Sequence, residues 1–315
     1  MKSRRTKIKH WAEGGVITLL YGLFRLIPRP VSMAMCAALA RNIGPLLPVS
    51  KKIGLSNIRQ AMPGKEERFY KKTIRDCWDN LGRIVGEFPH INKILTKPEN
   101  FEIVNEELFA KIVAQKRGTI FLAAHLGNWE VSPAHLLFQK VPINLIARKH
   151  ANPTIEWLLT KDRSKQGVTM ISRTAQGSRE LLRRIREHEN IGALVDQYAS
   201  DGVFIPFFGR PARTTVALAK LAVKYKLPLV PVQTIRQNKK SKFKIIFHPS
   251  IVPQENISDI QAATNMMITF NKQLENWVRE HPHQWLWLHN RWKVKKREQL
   301  VEKKTIPPIS QNDPQ

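Results

Sequence analysis

The residues best placed to do chemistry together are His125 and Glu130, in the segment His125-Leu-Gly-Asn-Trp-Glu130. An imidazole that gives one ring proton to a carboxylate keeps its other nitrogen available as a base near neutral pH. On one continuous helix, side chains five apart diverge by about 140°. The chain must therefore turn between them if they are to meet. Gly127 supplies the turn, and Asn128 fits the N-cap of a following helix. Glu130 then falls in that helix's first turn, where the dipole favours a carboxylate. The chemistry expected of such a His–Glu dyad is deprotonation of a hydroxyl. The competing reading is a surface His–acid pair with no catalytic part.

The flanking elements must position this pair. Gly118 opens an apolar run read as a strand over Ile120–Ala124, and Val131–Phe138 reads as a helix. From Phe101 onward the chain alternates. Strands are expected at Phe101–Val104, Ile143–Ala147, Val168–Ile171, Ile191–Val195, Leu229–Ile235 and Phe243–His248. Helices are expected at Glu106–Ala114, Pro153–Lys165, Ser178–Glu187, Thr215–Lys226 and Asp259–Arg279. The fold class is α/β, a central, largely parallel sheet flanked by helices. Sites in such sheets lie at strand C-terminal ends. His125 is at one such end and Asp196-Gln197 at another. Arg148 and Lys149 follow a third, and Arg173 a fourth. A base beside an acid and several cations suggests an anionic substrate, with phosphate the natural candidate.

Charge narrows the partners. The 315 residues carry 52 Lys and Arg against 25 Asp and Glu, a net charge of +27. Such a field attracts anionic membrane, an acidic protein or nucleic acid. The cations are spread along the chain and no nucleic-acid module is present, so nucleic acid is not the expected partner. Cys36 and Cys77 have no zinc-type spacing, and His281-Pro-His283 lacks a third ligand nearby; no metal is expected. Serine-hydrolase, P-loop and HExxH patterns are all absent.

The first segment, residues 1–48, combines Lys2, Arg4, Arg5, Lys7 and Lys9 with the apolar run Gly14–Phe24 and a second apolar helix at Val31–Ile43. It is expected to lie in the interface of an anionic membrane, with a tilted single span as the alternative. Lys65–Phe88 is a strongly amphipathic helix with Phe69, Ile74, Trp78, Leu81, Val85 and Phe88 on its apolar face. Residues 49–300 make up the α/β domain. Residues 301–315, with Pro307-Pro308, read as a disordered tail.

An ordered set of segments carries a resemblance. They are Ala124-His-Leu-Gly-Asn-Trp-Glu130, Ala147-Arg-Lys-His-Ala-Asn-Pro153 with Trp157, and Asp196-Gln197. Gly202-Val-Phe-Ile-Pro-Phe-Phe-Gly209 follows with Arg213-Thr-Thr215, then Gln284-Trp-Leu-Trp-Leu-His-Asn-Arg-Trp292. Together they resemble the lysophospholipid acyltransferase superfamily, and more closely its bacterial lipid A (Kdo2-lipid IVA) acyltransferases. The resemblance implies that fold, with His125 and Glu130 as catalytic dyad and with Arg163 and Asp196 needed for activity and substrate binding. It implies an acyl-acyl carrier protein donor, a lipid A precursor as acceptor, no cofactor, and a place on the cytoplasmic face of the inner membrane. The Pro-Glu-Gly box of glycerol-phosphate acyltransferases is missing; Phe204-Ile-Pro-Phe-Phe208 stands there. Two alternatives remain: an acyltransferase of the same fold acting on another glycolipid, such as a mannosylated phospholipid, and a noncatalytic basic membrane- or nucleic-acid-binding protein.

Overall fold

The computed structural model describes residues 4–164 and 168–293; the side chains of 4–10, 12, 159 and 161–164 fall outside that description. The expected tail and the basic side chains at the start lie outside the described residues.

The chain begins with helices α1 (Arg4–Leu26), α2 (Arg29–Ile43), α3 (Leu55–Ala61), α4 (Glu67–Glu87) and α5 (Ile91–Leu95). It continues through β1 (Phe101–Val104), α6 (Glu106–Ala114), β2 (Ile120–Ala123), α7 (Ala134–Phe138), β3 (Ile143–Ala147) and α8 (Pro153–Ser164). Next come β4 (Val168–Ser172), α9 (Ala175–Arg186), β5 (Asn190–Leu194), β6 (Val203–Phe207), β7 (Arg210–Thr214) and α10 (Ala217–Tyr225). The last elements are β8 (Leu229–Arg236), β9 (Phe243–Phe247) and α11 (Asp259–Glu280).

Seven strands form one sheet in the order β1-β9-β8-β2-β5-β3-β4. Every neighbouring pair is parallel except β8 with β9, which a short connection folds back as an antiparallel pair. Parallel strands are covered on both faces, so they read as apolar runs rather than alternating ones. All four residues of β2 and all eight of β8 are buried.

The β6–β7 hairpin was not foreseen from the sequence. Pro206 and Pro211 face each other across it, and proline argues against a strand inside a larger sheet. A two-stranded ribbon tolerates them, and the positive φ angles of Phe208 (52°) and Gly209 (69°) close the turn. The helix expected over Val131–Phe138 is also shorter. A 3-10 turn at Trp129–Val131 precedes α7, with Pro133 between them.

Helix α4 buries Tyr70, Ile74, Cys77 and Ile84, whereas Val85, expected on its apolar face, is 54% exposed. The reason is α2, which packs along a different face of α4. A Cβ on Gly82 would lie 2.4 Å from the Cys36 carbonyl oxygen, so only glycine allows the two backbones to approach. Ser32 Oγ donates to the Gly86 carbonyl across the same seam at 2.9 Å.

Candidate active site

Strands β2 and β5 are hydrogen-bonded neighbours running the same way, and Val195 N donates to Ala123 O just past their ends. The residues that follow each strand are therefore brought together, and they are His125 and Asp196. His125 Nδ1 lies 2.8 Å from Asp196 Oδ1, and the His125 backbone N–H donates to Oδ2 at 3.0 Å. Trp285 Nε1 donates to the same Oδ2 at 2.9 Å. The Asp196 side chain is 1% exposed, and these donors satisfy it.

Burial alone would push the Asp196 carboxyl up. The charge of His125 and the hydrogen bonds from His125 and Trp285 outweigh burial and hold it below the usual carboxylate range. Burial likewise disfavours a charged His125 ring. The Asp196 carboxylate, by charge and hydrogen bond, and Glu130, by charge, prevail and raise its pKa above the ordinary histidine value. An ionised Asp196 makes Nδ1 the protonated nitrogen and leaves the Nε2 lone pair as the basic site. Gln197 Nε2 lies 3.3 Å from that nitrogen, and the Trp129 ring packs edge-on with centroids 5.1 Å apart.

The spacing in the sequence points to Glu130 as the acceptor of the imidazole proton. In the structure Asp196 occupies that position, and Glu130 acts on His125 through its charge. The expected turn is present. Gly127 has φ +61°, and a Cβ there would stand 2.4 Å from the Thr234 carbonyl oxygen. Asn128 caps the following turn by accepting from Glu130 N at 3.1 Å.

A buried polar network holds this loop from behind. The loop's carbonyl at Gly127 accepts from Asn80 Nδ2 at 2.8 Å, and Gly127 N donates to Gln284 O. Asn128 Nδ2 donates to Glu87 Oε2 at 2.8 Å. Glu87 is 0% exposed and forms a two-pronged pair with Arg236, both contacts at 2.6 Å, while Ser241 Oγ donates to it at 2.7 Å. Arg236 Nε in turn donates to Asn80 Oδ1. The Trp-rich end forms the loop's other wall, where Leu126 bridges Trp285 and Leu286 N donates to His125 O. Further along, His289 Nε2 accepts from Tyr198 N, and buried Arg291 donates to Arg213 O and Thr214 Oγ1 at the end of β7. Burial pulls the Arg291 guanidinium down to about 10.

Sequence reasoning named the Trp-rich segment only as part of a pattern and did not find Glu87 or Arg236. Their signal is a charge where one is not expected: Glu87 ends an amphipathic helix's buried run, and Arg236 ends an apolar strand. Arg148, Lys149 and Arg173 follow β3 and β4, at the same C-terminal end of the parallel strands as His125, and all three are exposed. Arg173 N donates to Ala147 O, tying those two ends together. Arg163 falls in the last turns of α8, and its side chain lies outside the described residues. No group of three potential metal ligands occurs among the described residues.

Beside the His125 loop, on one face of the sheet, lies an apolar cavity of about 150 Å³. Trp129 and Glu130 line it, with Ala123, Leu145, Met170 and Leu194 from four adjacent strands. Gly192 leaves it open, since a Cβ there would come within 2.6 Å of Leu145 Cδ2.

Comparison with known proteins gives a consistent set. The family model described as bacterial lipid A biosynthesis acyltransferase matches residues 1–294. A lipid A biosynthesis lauroyltransferase of Escherichia coli K12 is 26% identical over 298 residues, covering 90% of this chain and 91% of that protein. A palmitoleoyltransferase of the same pathway and organism is 22% identical over 295 residues, covering 91% and 92%. A lipid A biosynthesis acyltransferase of Haemophilus influenzae is 26% identical over 193 residues, 59% of this chain and 57% of that protein.

Proposed function

The chain belongs to the bacterial lipid A biosynthesis acyltransferase family, and from that premise we propose that it transfers a fatty acyl chain from an acyl-acyl carrier protein thioester to a hydroxyl of a lipid A precursor. The observation that carries the mechanism is the His125–Asp196 pair at the C-terminal ends of the central strands β2 and β5, beside an apolar cavity. His125 Nε2 takes the proton of the acceptor hydroxyl. The oxygen attacks the thioester carbonyl, the new C–O bond forms and the C–S bond breaks. The imidazolium returns its proton to the leaving thiolate. Asp196 holds the ring in the required tautomer and stabilises the transient positive charge, while Glu130 adds negative potential. No covalent intermediate on the protein is required.

The cavity receives the donor's acyl chain, whose transfer from water to an apolar lining is favourable by about 0.8 kcal/mol per CH₂. The exposed Arg148, Lys149 and Arg173, together with Arg163 by its position on α8, bind the phosphates of the acceptor. The net charge of +27 favours both an acidic carrier protein and an anionic membrane.

No helix among the described residues is long and apolar enough to cross a membrane. Val31, Met35, Leu39 and Ile43 nevertheless recur every fourth residue as an exposed apolar stripe on α2, opposite the face packed on α4. Trp11, Leu19 and Leu26 of α1 are exposed as well. Exposed apolar side chains on both helices support docking in a membrane interface; the cytoplasmic face of the inner membrane is proposed from the family alone.

Mass spectrometry of lipid A from a deletion strain tests the function. The expected result is lipid A lacking one acyl chain, restored by the wild-type gene. Unchanged lipid A with an altered second glycolipid would instead favour an acyltransferase of that lipid.

A further inference from the structure

The transfer also requires a donor to the reacting carbonyl. Acyl transfer builds negative charge on the thioester oxygen, and an N–H preorganised toward that oxygen contributes strongly in a site shielded from water. The group must stand close to the atom that removes the hydroxyl proton, because attacking oxygen and carbonyl carbon become bonded in the same step.

Gln197 meets this requirement. It follows Asp196 directly, so the buried carboxylate that fixes His125 also fixes the backbone from which Gln197 projects. Its amide nitrogen lies 3.3 Å from His125 Nε2. Asp196 claims the Nδ1 proton, so Nε2 carries the lone pair, and only a donor is favourable at that distance. The amide N–H therefore points at the place where the acceptor hydroxyl must arrive. The Gln197 side chain is half-buried and rests on Nε2 through this single contact among the described residues, so it can turn from Nε2 as the hydroxyl takes its place.

We propose that Gln197 is a catalytic residue whose side-chain N–H rests on the general base in the free protein and donates to the oxyanion of the thioester carbonyl during transfer. This rests on the acyl-transfer reading. When the hydroxyl occupies Nε2, the amide is displaced onto the neighbouring carbonyl oxygen. The hydroxyl proton passes to Nε2, the oxygen–carbon bond forms, and the carbonyl π pair moves onto the oxygen held by Gln197. Collapse reforms the carbonyl and expels the thiolate, which takes the proton from His125.

The test uses purified full-length protein with acyl-acyl carrier protein and a lipid A precursor in detergent, comparing wild type, Gln197→Ala and Gln197→Glu. Gln197→Glu keeps the side chain's size while replacing the donor by an acceptor, and thermal unfolding reports whether each variant is folded. Both variants are expected to lose roughly 10²–10³ in kcat with KM for either substrate little changed.

The pH–rate profile separates this role from a lesser one. If Gln197 served only to keep His125 neutral, Gln197→Ala would regain wild-type turnover at higher pH. An oxyanion donor leaves the high-pH plateau low. Recovery at high pH, or kcat within about threefold of wild type in folded Gln197→Glu, overturns the assignment while the functional reading stands. Absence of transfer by the wild-type protein overturns both.

Discussion

At the residue scale, two carboxylates act on one imidazole, and they do so differently. Asp196 is hydrogen-bonded to His125, whereas Glu130 contributes charge. Because both raise the His125 pKa, and the base must be neutral to act, the wild-type rate should rise with pH through a midpoint above the ordinary histidine value. Glu130→Gln removes a negative charge, makes the imidazolium less favourable and should move that acid limb to lower pH with only a modest fall in the plateau. Asp196→Asn removes the charge and also the acceptor that selects the tautomer. The plateau itself should then fall, by up to the 10²–10⁴ that a general base supplies. A pH–rate profile of each variant reads this directly, and an unmoved limb in Glu130→Gln would show that its charge does not reach the base. His125, the glycine turn and the Asn128 cap were legible in the sequence because they depend on neighbours in the chain. The contact of Asp196 with His125 Nδ1 was not, because it depends on β5 lying beside β2, a pairing made across 71 residues.

At the element scale, the His125 loop is positioned by a buried charge pair that bridges α4 and β8. Burying charges is unfavourable unless every partner is in place, and removing one partner from such a pair typically costs about 3–5 kcal/mol. Glu87→Ala should therefore lower stability by that order, measured by chemical unfolding, and release Asn128 and with it the cap of the Glu130 turn. A Glu87→Ala protein as stable as wild type would mean that the pair is solvated or dispensable. The strands of the sheet were legible to within a residue or two, because parallel strands covered on both faces must be apolar runs. The β6–β7 hairpin was not, because its facing prolines are permitted only in a ribbon outside the main sheet. The exposed side of α4 was misjudged at Val85 for a related reason. Glycines at 82 and 86 draw α2 onto a face that side-chain hydrophobicity alone does not mark.

At the scale of the whole molecule, a strongly positive chain presents an apolar stripe outward on α2, and at the C-terminal ends of its parallel strands a histidine, a buried acid and exposed cations. Replacing Met35 and Leu39 together by glutamate alters two exposed side chains, 50% and 64% accessible, on the face away from α4. The fold should survive, and sedimentation with anionic vesicles should fall sharply; undiminished binding would place the membrane contact elsewhere. Donor use should weaken as salt rises, since attraction between a basic enzyme and an acidic carrier is screened within about 10 Å at 0.1 M. The most direct test of acyl transfer by His125 is a comparison of initial rates between purified wild type and His125→Ala. Both would be given acyl-acyl carrier protein and a phosphorylated lipid A precursor, with the product followed by mass. Wild type is expected to add one acyl chain, and folded His125→Ala to do so at least about 10²-fold more slowly. Near-wild-type turnover by His125→Ala would contradict acyl transfer by His125.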